Sequence, residues 1–313
     1  MTKELTIIIP FLNEADNIPN LVRELDGFLT GKPFQSEVIF VDDGSTDNSI
    51  EILSSLRINS FSAKIVKLSR NFGSHAALRA GIKSAEGLYV CFLYADLQDP
   101  ISVITKQYDE IQKGMDIVWG HRNSTDYGFL EGIFSSLYNR LMRRFVHPKF
   151  PKTGFDIVMF NSKVKKELDD NVENNSSIFI QILLMGFKQS NVGYDKSKRE
   201  RGKSKWTLGK KIKLFIDSFV AFSYAPIRFV TTIGFLFFIL GLLYALIIVL
   251  YQIFVGGLMM GWPTLIFLIM IGFGTTNISL GIIAEYLWRT LDASRNRKVF
   301  IIDEIIDLNK EVK

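Results

Sequence analysis

The chain has 313 residues, 48% of them hydrophobic, with 37 Lys and Arg against 32 Asp and Glu and a formal net charge of +5. Such a length suits one large domain or two modest ones, but the charge is spread unevenly, and from Phe229 through Ala284 there is none. This excludes a purely soluble protein, and because one crossing takes about 20 apolar helical residues, the stretch holds two spans and not four, too few to argue for a channel or carrier.

Along the chain, the start MTKELTIIIP shows no signal-peptide pattern and runs directly into a short strand-like segment ending at Pro10. The first 195 or so residues alternate β-branched runs with longer amphipathic segments, the pattern of a mostly parallel sheet covered by helices. Strands are predicted at Leu5–Ile9, Glu37–Val41, Lys64–Leu68, Leu88–Leu93, Asp116–Trp119 and Asp156–Phe160. The second ends at Asp42-Asp43-Gly44 and the fourth at Ala95-Asp96-Leu97-Gln98-Asp99-Pro100, so two acidic loops converge on the carboxyl edge of the sheet, where open α/β sheets bind ligands. Asp42, Asp43, Asp96 and Asp99 together suit a hard divalent cation, while Asp43 to Asp47 would equally serve as a turn and helix cap. The single cysteine, Cys91, cannot form an internal disulfide and fits a reducing compartment. His75, His121 and His147 make no zinc pattern.

Two segments have the pattern of membrane-surface helices. In the first, Leu130, Ile133, Phe134, Leu137, Leu141 and Phe145 fall at helical spacing, with Arg140, Arg143 and Arg144 able to lie against lipid phosphates. Packing on the sheet would use the same apolar stripe. The second, Leu208–Phe222, carries Lys210, Lys211 and Lys213 near its start and runs into the apolar stretch. Spans are predicted near Phe229–Phe254 and Pro263–Tyr286, joined by the uncharged hairpin Val255–Trp262. Lys210, Lys211, Lys213 and Arg228 precede the pair and Arg289, Arg295, Arg297 and Lys298 follow it, so the positive-inside rule places both termini in the cytoplasm. Basic residues clustered beside the spans point to anionic lipid, not nucleic acid. The resulting division is a polar domain over residues 1–206, an interface segment over 207–228, two transmembrane helices over 229–288 and a cytoplasmic tail over 289–313.

Several motifs occur in a telling order: I-I-I-P-F-L-N-E (Ile7–Glu14), V-D-D-G-S-T-D (Val41–Asp47), R-N-F-G (Arg70–Gly73) and A-D-L-Q-D-P (Ala95–Pro100). G-F-D (Gly154–Asp156), R-E-R-G-K-S-K-W (Arg199–Trp206) and G-I-I-A-E-Y-L-W-R (Gly281–Arg289) follow. Over nearly its whole length the chain resembles the family 2 inverting glycosyltransferases of GT-A fold, in the bacterial branch akin to dolichyl-phosphate mannose synthase that carries two C-terminal membrane helices. The resemblance implies a Rossmann-like sheet with helices on both faces, amphipathic interface helices and a transmembrane hairpin. It implies transfer of one sugar from a UDP- or GDP-linked donor to polyprenyl phosphate, undecaprenyl phosphate in bacteria, at the cytoplasmic membrane face with inversion. The partners are then a nucleotide diphosphate sugar, the polyprenyl phosphate and the bilayer, with a homo-oligomer left open. Transfer to another lipid acceptor, and a catalytically silent nucleotide-sugar scaffold, are the alternatives.

Residue by residue, the resemblance assigns Pro10, Asn13, Glu14, Asp42 and Asp43 to base and ribose. It gives Asp96 and Gln98 to Mg²⁺ or Mn²⁺ with the diphosphate, and Arg122 and Arg199 to phosphate, a task that suits the guanidinium fork. Arg122 would also serve as one half of a surface ion pair. Arg199, Lys203 and Lys205, with Trp206 beside them, stand where a lipid phosphate would leave the headgroup layer, although general attraction to anionic lipid calls for the same composition. Asp156 occupies the position of the candidate base; a phosphate acceptor with its second pKa near 6 demands only weak base assistance, and a strand-end carboxylate is its plainer reading. One departure is notable: relatives read D-A-D-L where this chain reads Tyr94-Ala95-Asp96-Leu97.

Overall fold

In a computed structural model the described residues are 3–123, 129–148, 150, 157–171, 177–195, 225–254, 256, 261–295 and 297–309. The chain divides into two units: Met1–Ser218 together with Lys298–Lys313, and Phe219–Arg297 between them.

The first unit is built on an eight-stranded sheet. Its strands are β1 (Leu5–Phe11), β2 (Ser36–Asp42), β3 (Ser62–Leu68), β4 (Tyr89–Phe92), β5 (Ile117–Arg122), β6 (Ile157–Asn161), β7 (Gln189–Tyr194) and β8 (Ile302–Asp307). They lie in the order β7-β5-β6-β4-β1-β2-β3-β8. The pairs β1/β2, β1/β4, β2/β3 and β5/β7 are parallel, whereas β6 runs antiparallel between β4 and β5, and β8 runs antiparallel to β3. Every residue of β1 and β2 is buried. Since successive side chains point to opposite faces, both faces of the sheet centre are covered, as near-continuous runs such as L-T-I-I-I-P-F demand.

Pro10 sits inside β1 without breaking it. Ile8 O accepts from Leu93 N at 3.0 Å, so the missing N–H of Pro10, two residues on, points to the same side, where β4 has already ended at the Ile8–Phe92 pair.

Seven helices accompany these strands among the described residues: α1 (Ile18–Leu29), α2 (Ser49–Ser55), α3 (Ser74–Ser84), α4 (Val103–Gln112), α5 (Phe129–Phe145), α6 (Ser162–Asp170) and α7 (Ile178–Leu184). In α1 the buried residues Ile18, Leu21, Val22, Leu25 and Leu29 form one stripe at helical spacing. α3 packs on β1 and β2 so closely that a Cβ on Gly81 would stand 2.3 Å from Ile8 Cγ2. Asn161 caps α6, its Oδ1 accepting from Lys163 N at 3.2 Å and Val164 N at 3.3 Å. Phe92 joins strand to helix, with edge contacts to Phe160 at 5.6 Å and Phe179 at 5.9 Å.

The six predicted strands are all present, with shifted ends; β7 and β8 were not expected. β8 follows the apolar stretch in sequence, yet Ser69 N donates to Ile301 O at 3.0 Å and Leu308 N to Ala63 O at 2.9 Å, and Ile306 and Leu308 pack against the core. Residues expected as a tail thus include an edge strand. The predicted surface helix at Leu130–Phe145 is a helix, and within it Asn139 and Met142 are buried while Phe145 is exposed. The segment Leu208–Phe222 lies outside the described residues.

The second unit contains the helices Ala225–Phe254 and Trp262–Ser294, which pack against one another. Large apolar side chains stand exposed along both, from Phe229 and Phe254 to Phe273 and Leu287. Among the described residues one stretch, Leu268–Asp292, is long and apolar enough to cross a membrane by length and composition; Pro226–Gly241 is a shorter apolar stretch.

Candidate active site

The carboxyl edges of β1, β2, β4 and β5 collect most of the residues singled out in the sequence. The loop after β1 is stitched to the loop after β2. Asn13, in the left-handed region at φ 52°, accepts on Oδ1 from Thr46 N at 2.7 Å and Asp47 N at 3.3 Å, while its own N–H donates to Ser45 Oγ at 2.9 Å. Glu14 N donates to Ser49 Oγ at 3.0 Å, and Ser49 Oγ donates to Asp47 Oδ1 at 2.6 Å. Pro10 is buried in β1, and the Glu14 carboxylate accepts from Asn17 Nδ2 at 2.6 Å. Ser45, Asp47 and Ser49 hold this network, and their signal in the sequence is small hydroxyls and a carboxylate at alternate positions after Asp43.

The paired aspartates have separate partners. Asp43 Oδ1 accepts from Phe72 N at 2.7 Å, and Gly73 N reaches Oδ2 at 3.0 Å, so the R-N-F-G motif is a loop clamped on a carboxylate. Gly44 lets this happen: at φ +78° it approaches so closely that a Cβ would lie 2.7 Å from Arg70 C and Asn71 N. Burial holds the Asp43 carboxyl above the ordinary aspartate range despite these two donors, with the neighbouring Asp42 adding to the rise and Arg70 opposing it. Arg70 stacks over the Phe72 ring at 4.0 Å. Asp42, fully buried, accepts from Ser45 N at 3.0 Å on Oδ1, while its buried Oδ2 has no hydrogen-bond partner among the described residues. A buried, unsatisfied carboxylate oxygen at a ligand-binding edge is a site for a donor from outside the protein.

The loop after β4 presents Asp96 and Gln98, both half-buried. Asp96 Oδ1 accepts from Gln98 N at 3.3 Å, and Leu97 between them is in the left-handed region at φ 52°. Asp99, grouped with them in the sequence, is turned inward and accepts from the Tyr194 phenol at 2.8 Å. Arg122 is the last residue of β5, half-buried and opposite Tyr194 in the ladder. β6 starts at Ile157, paired with Gly120 at the same edge; Asp156, Arg199, Lys203 and Lys205 lie outside the described residues. Among those described, no group of three or more His, Cys, Asp or Glu is placed to hold a metal. The donors Asp96 and Gln98 nevertheless fit Mg²⁺ or Mn²⁺, because such hard cations take one or two carboxylates and fill their shell with water and substrate phosphate.

A mostly parallel sheet thus gathers acidic loops and an arginine at its carboxyl edge, and its chain continues into a highly apolar helical unit. The match to the model described as Glycosyl transferase family 2, over residues 6–179, shows that the chain belongs to that family. It is 32% identical to an uncharacterized glycosyltransferase of Synechocystis sp., covering 97% of this chain and 96% of that protein. It is 29% identical to the bactoprenol glucosyl transferase of Shigella phage SfV, covering 96% of this chain and 98% of that protein. The fold is shared with glucosyl-3-phosphoglycerate synthase from Mycobacterium tuberculosis, solved with Mn²⁺, UDP and phosphoglyceric acid (TM-score 0.50, 17% identity, 70% of this chain and 76% of that one).

Proposed function

We propose that this glycosyltransferase moves one sugar from a UDP- or GDP-linked donor to polyprenyl phosphate at the cytoplasmic face of a membrane, by a single in-line displacement that inverts the anomeric carbon. What carries the reading is the end-to-end likeness to the phage bactoprenol glucosyl transferase, 96% of this chain and 98% of that one, which takes in the helical unit as well as the sheet.

In this reading Asp42 Oδ2 accepts an N–H of the nucleotide base. The backbone around Asn13 and Glu14 forms the floor beside it. Arg122 holds the diphosphate and Arg199 the acceptor phosphate, each by charge-assisted bonds. Asp96 and Gln98 would hold the divalent cation, which when bound neutralises charge on the departing diphosphate. Asp156 orients the acceptor phosphate or takes its residual proton, and Lys203 and Lys205 attract that phosphate from the headgroup layer.

The two apolar helices form a transmembrane hairpin in this proposal. Support comes from connectivity: the chain leaves the α/β unit before Phe219, returns by Lys298 and adds β8 to the same sheet. Strands that pair must lie on one side of the bilayer, so any crossings are even in number. The 33-residue helix Trp262–Ser294 is about 50 Å long, ample for a hydrocarbon core of roughly 30 Å.

The test is transfer of radiolabelled glucose and mannose from their UDP and GDP donors into lipid extracts by the full chain in membranes. Label in a mild-acid-labile lipid that requires added polyprenyl phosphate is the expected result. Label in an acid-stable lipid would overturn the acceptor assignment, and no label with any donor would overturn the transfer reaction.

A further inference from the structure

Tyr194 ends β7, and its phenol donates to Asp99 Oδ1 at 2.8 Å, with both residues 2% exposed. A hydroxyl donating to a carboxylate makes a charge-assisted bond, and burial spares it competition from water. The ring lies across Gly120: a Cβ there would come within 3.3 Å of Tyr194 Cε1 and of Ile157 Cβ. On the other side of the residue, Asn123 N donates to Tyr194 O at 2.9 Å, and the ladder sets Arg122 opposite Tyr194. One residue therefore bonds through its phenol to the loop that carries Asp96, lays its ring over Gly120, and stands opposite Arg122 in the ladder. In sequence it precedes Arg199 by five residues.

The bond is one tether of this loop, beside the packing of Ala95 and Leu97 against the core. Leu97 holds a positive φ of 52°, a backbone state that costs free energy for any residue with a Cβ and persists only where the surroundings enforce it. The Asp96–Gln98 contact at 3.3 Å is a local bond within the loop and cannot fix its height over the sheet. The Asp99–Tyr194 bond reaches across the sheet to β7 and can.

We propose that Tyr194 is a positioning residue: through Asp99 it sets where Asp96 and Gln98 meet the diphosphate and its cation, and it does so from the strand that leads toward the acceptor-phosphate segment. This rests on the reading of the Ala95–Pro100 loop as the diphosphate site. Tyr194 touches no substrate, and its effect passes through the loop.

The experiment uses the full chain in lipid nanodiscs and measures Mn²⁺ binding by electron paramagnetic resonance, alone and with UDP or GDP. Y194F keeps the ring over Gly120 and deletes only the hydroxyl. It should weaken Mn²⁺ binding in the presence of the nucleotide about tenfold, the loss typical when the support of a metal ligand is removed. Its kcat should fall while KM for the lipid acceptor and the thermal midpoint stay close to those of the unmodified chain. D99N keeps an oxygen that accepts from the phenol and should retain affinity within about threefold, whereas D99A should resemble Y194F. Normal Mn²⁺ affinity in Y194F, or a loss that follows the unfolded fraction, would overturn the proposal. D96N tells this failure from the other: D96N without Mn²⁺ binding beside a normal Y194F removes the tether alone, while D96N that binds normally removes the diphosphate reading beneath it.

Discussion

At the carboxyl end of β2 two adjacent aspartates have different tasks. Asp43 accepts on both oxygens from the amides of Phe72 and Gly73, while Asp42 keeps one buried oxygen without a partner among the described residues. Asp42→Asn should therefore lower UDP or GDP affinity, by about tenfold for a lost charged hydrogen bond, with little change in thermal midpoint; titration calorimetry checks it. Glu37 shows the same accounting fully closed. Its 1% exposed carboxylate accepts from Lys3 Nζ at 2.8 Å, Thr6 Oγ1 at 2.9 Å and Glu86 N at 3.1 Å, with Lys64 Nζ at 2.9 Å. Burial pushes its pKa up, but these donors and the two ammonium groups prevail and hold it below the ordinary glutamate value of 4.5. A carboxyl depressed in the folded state stabilises above the unfolded pKa, and that contribution fades as pH falls through the lowered folded value. Glu37→Gln should cost about 3 kcal/mol at pH 7, as breaking a buried pair does. It should also flatten the acid limb below about pH 4, seen in thermal melts across pH.

At the scale of elements, the site is two loop pairs held by backbone geometry. Gly44 is where they touch, and a Cβ there meets backbone atoms of Arg70 and Asn71 at 2.7 Å, atoms that cannot step aside. Gly44→Ala adds the strain of a positive φ to that clash, about 2 kcal/mol or more, and should open the R-N-F-G loop, read as faster hydrogen exchange at the Phe72 and Gly73 amides. β8 does for the sheet edge what Gly44 does for the loops. It covers the outer side of β3 with Ile306 and Leu308 against the core, and Lys67 pairs with Asp303 at 3.5 Å. A chain ending at Arg297 leaves β3 as a bare edge. Its midpoint should fall by about 5–10 °C, with aggregation on gel filtration as the accompanying sign.

For the whole molecule the pairing of β8 with β3 carries a consequence for topology, since the residues on either side of the helical unit belong to one sheet. In the proposed hairpin, basic residues flank both helices and none lies in the turn between them, so the positive-inside rule predicts the turn on the far side of the membrane. Cysteine placed at Gly257, in a background where the buried Cys91 is replaced, should react with an impermeant maleimide in intact cells. Reaction only after lysis would reverse the orientation.

The sequence by itself determined the α/β alternation, six strands, the acidic carboxyl edge and the family, because buried parallel strands are unbroken apolar runs and because loop motifs keep their residues in order. It did not disclose β7 or β8. Q-S-N-V-G-Y has few apolar residues to mark a strand, and I-D-E-I-I-D alternates so weakly that it reads as a charged tail; each becomes a strand because a neighbouring edge supplies its hydrogen bonds. Nor did it separate Asp42 from Asp43, or place Asp99 against Tyr194. Four carboxylates look alike in one dimension, and only the folded chain shows that Asp43 meets the amides of Phe72 and Gly73 and Asp99 the Tyr194 phenol, while Asp42 and Asp96 each accept from an amide of their own loop. That division is set by contacts between residues dozens of positions apart, which no local pattern encodes.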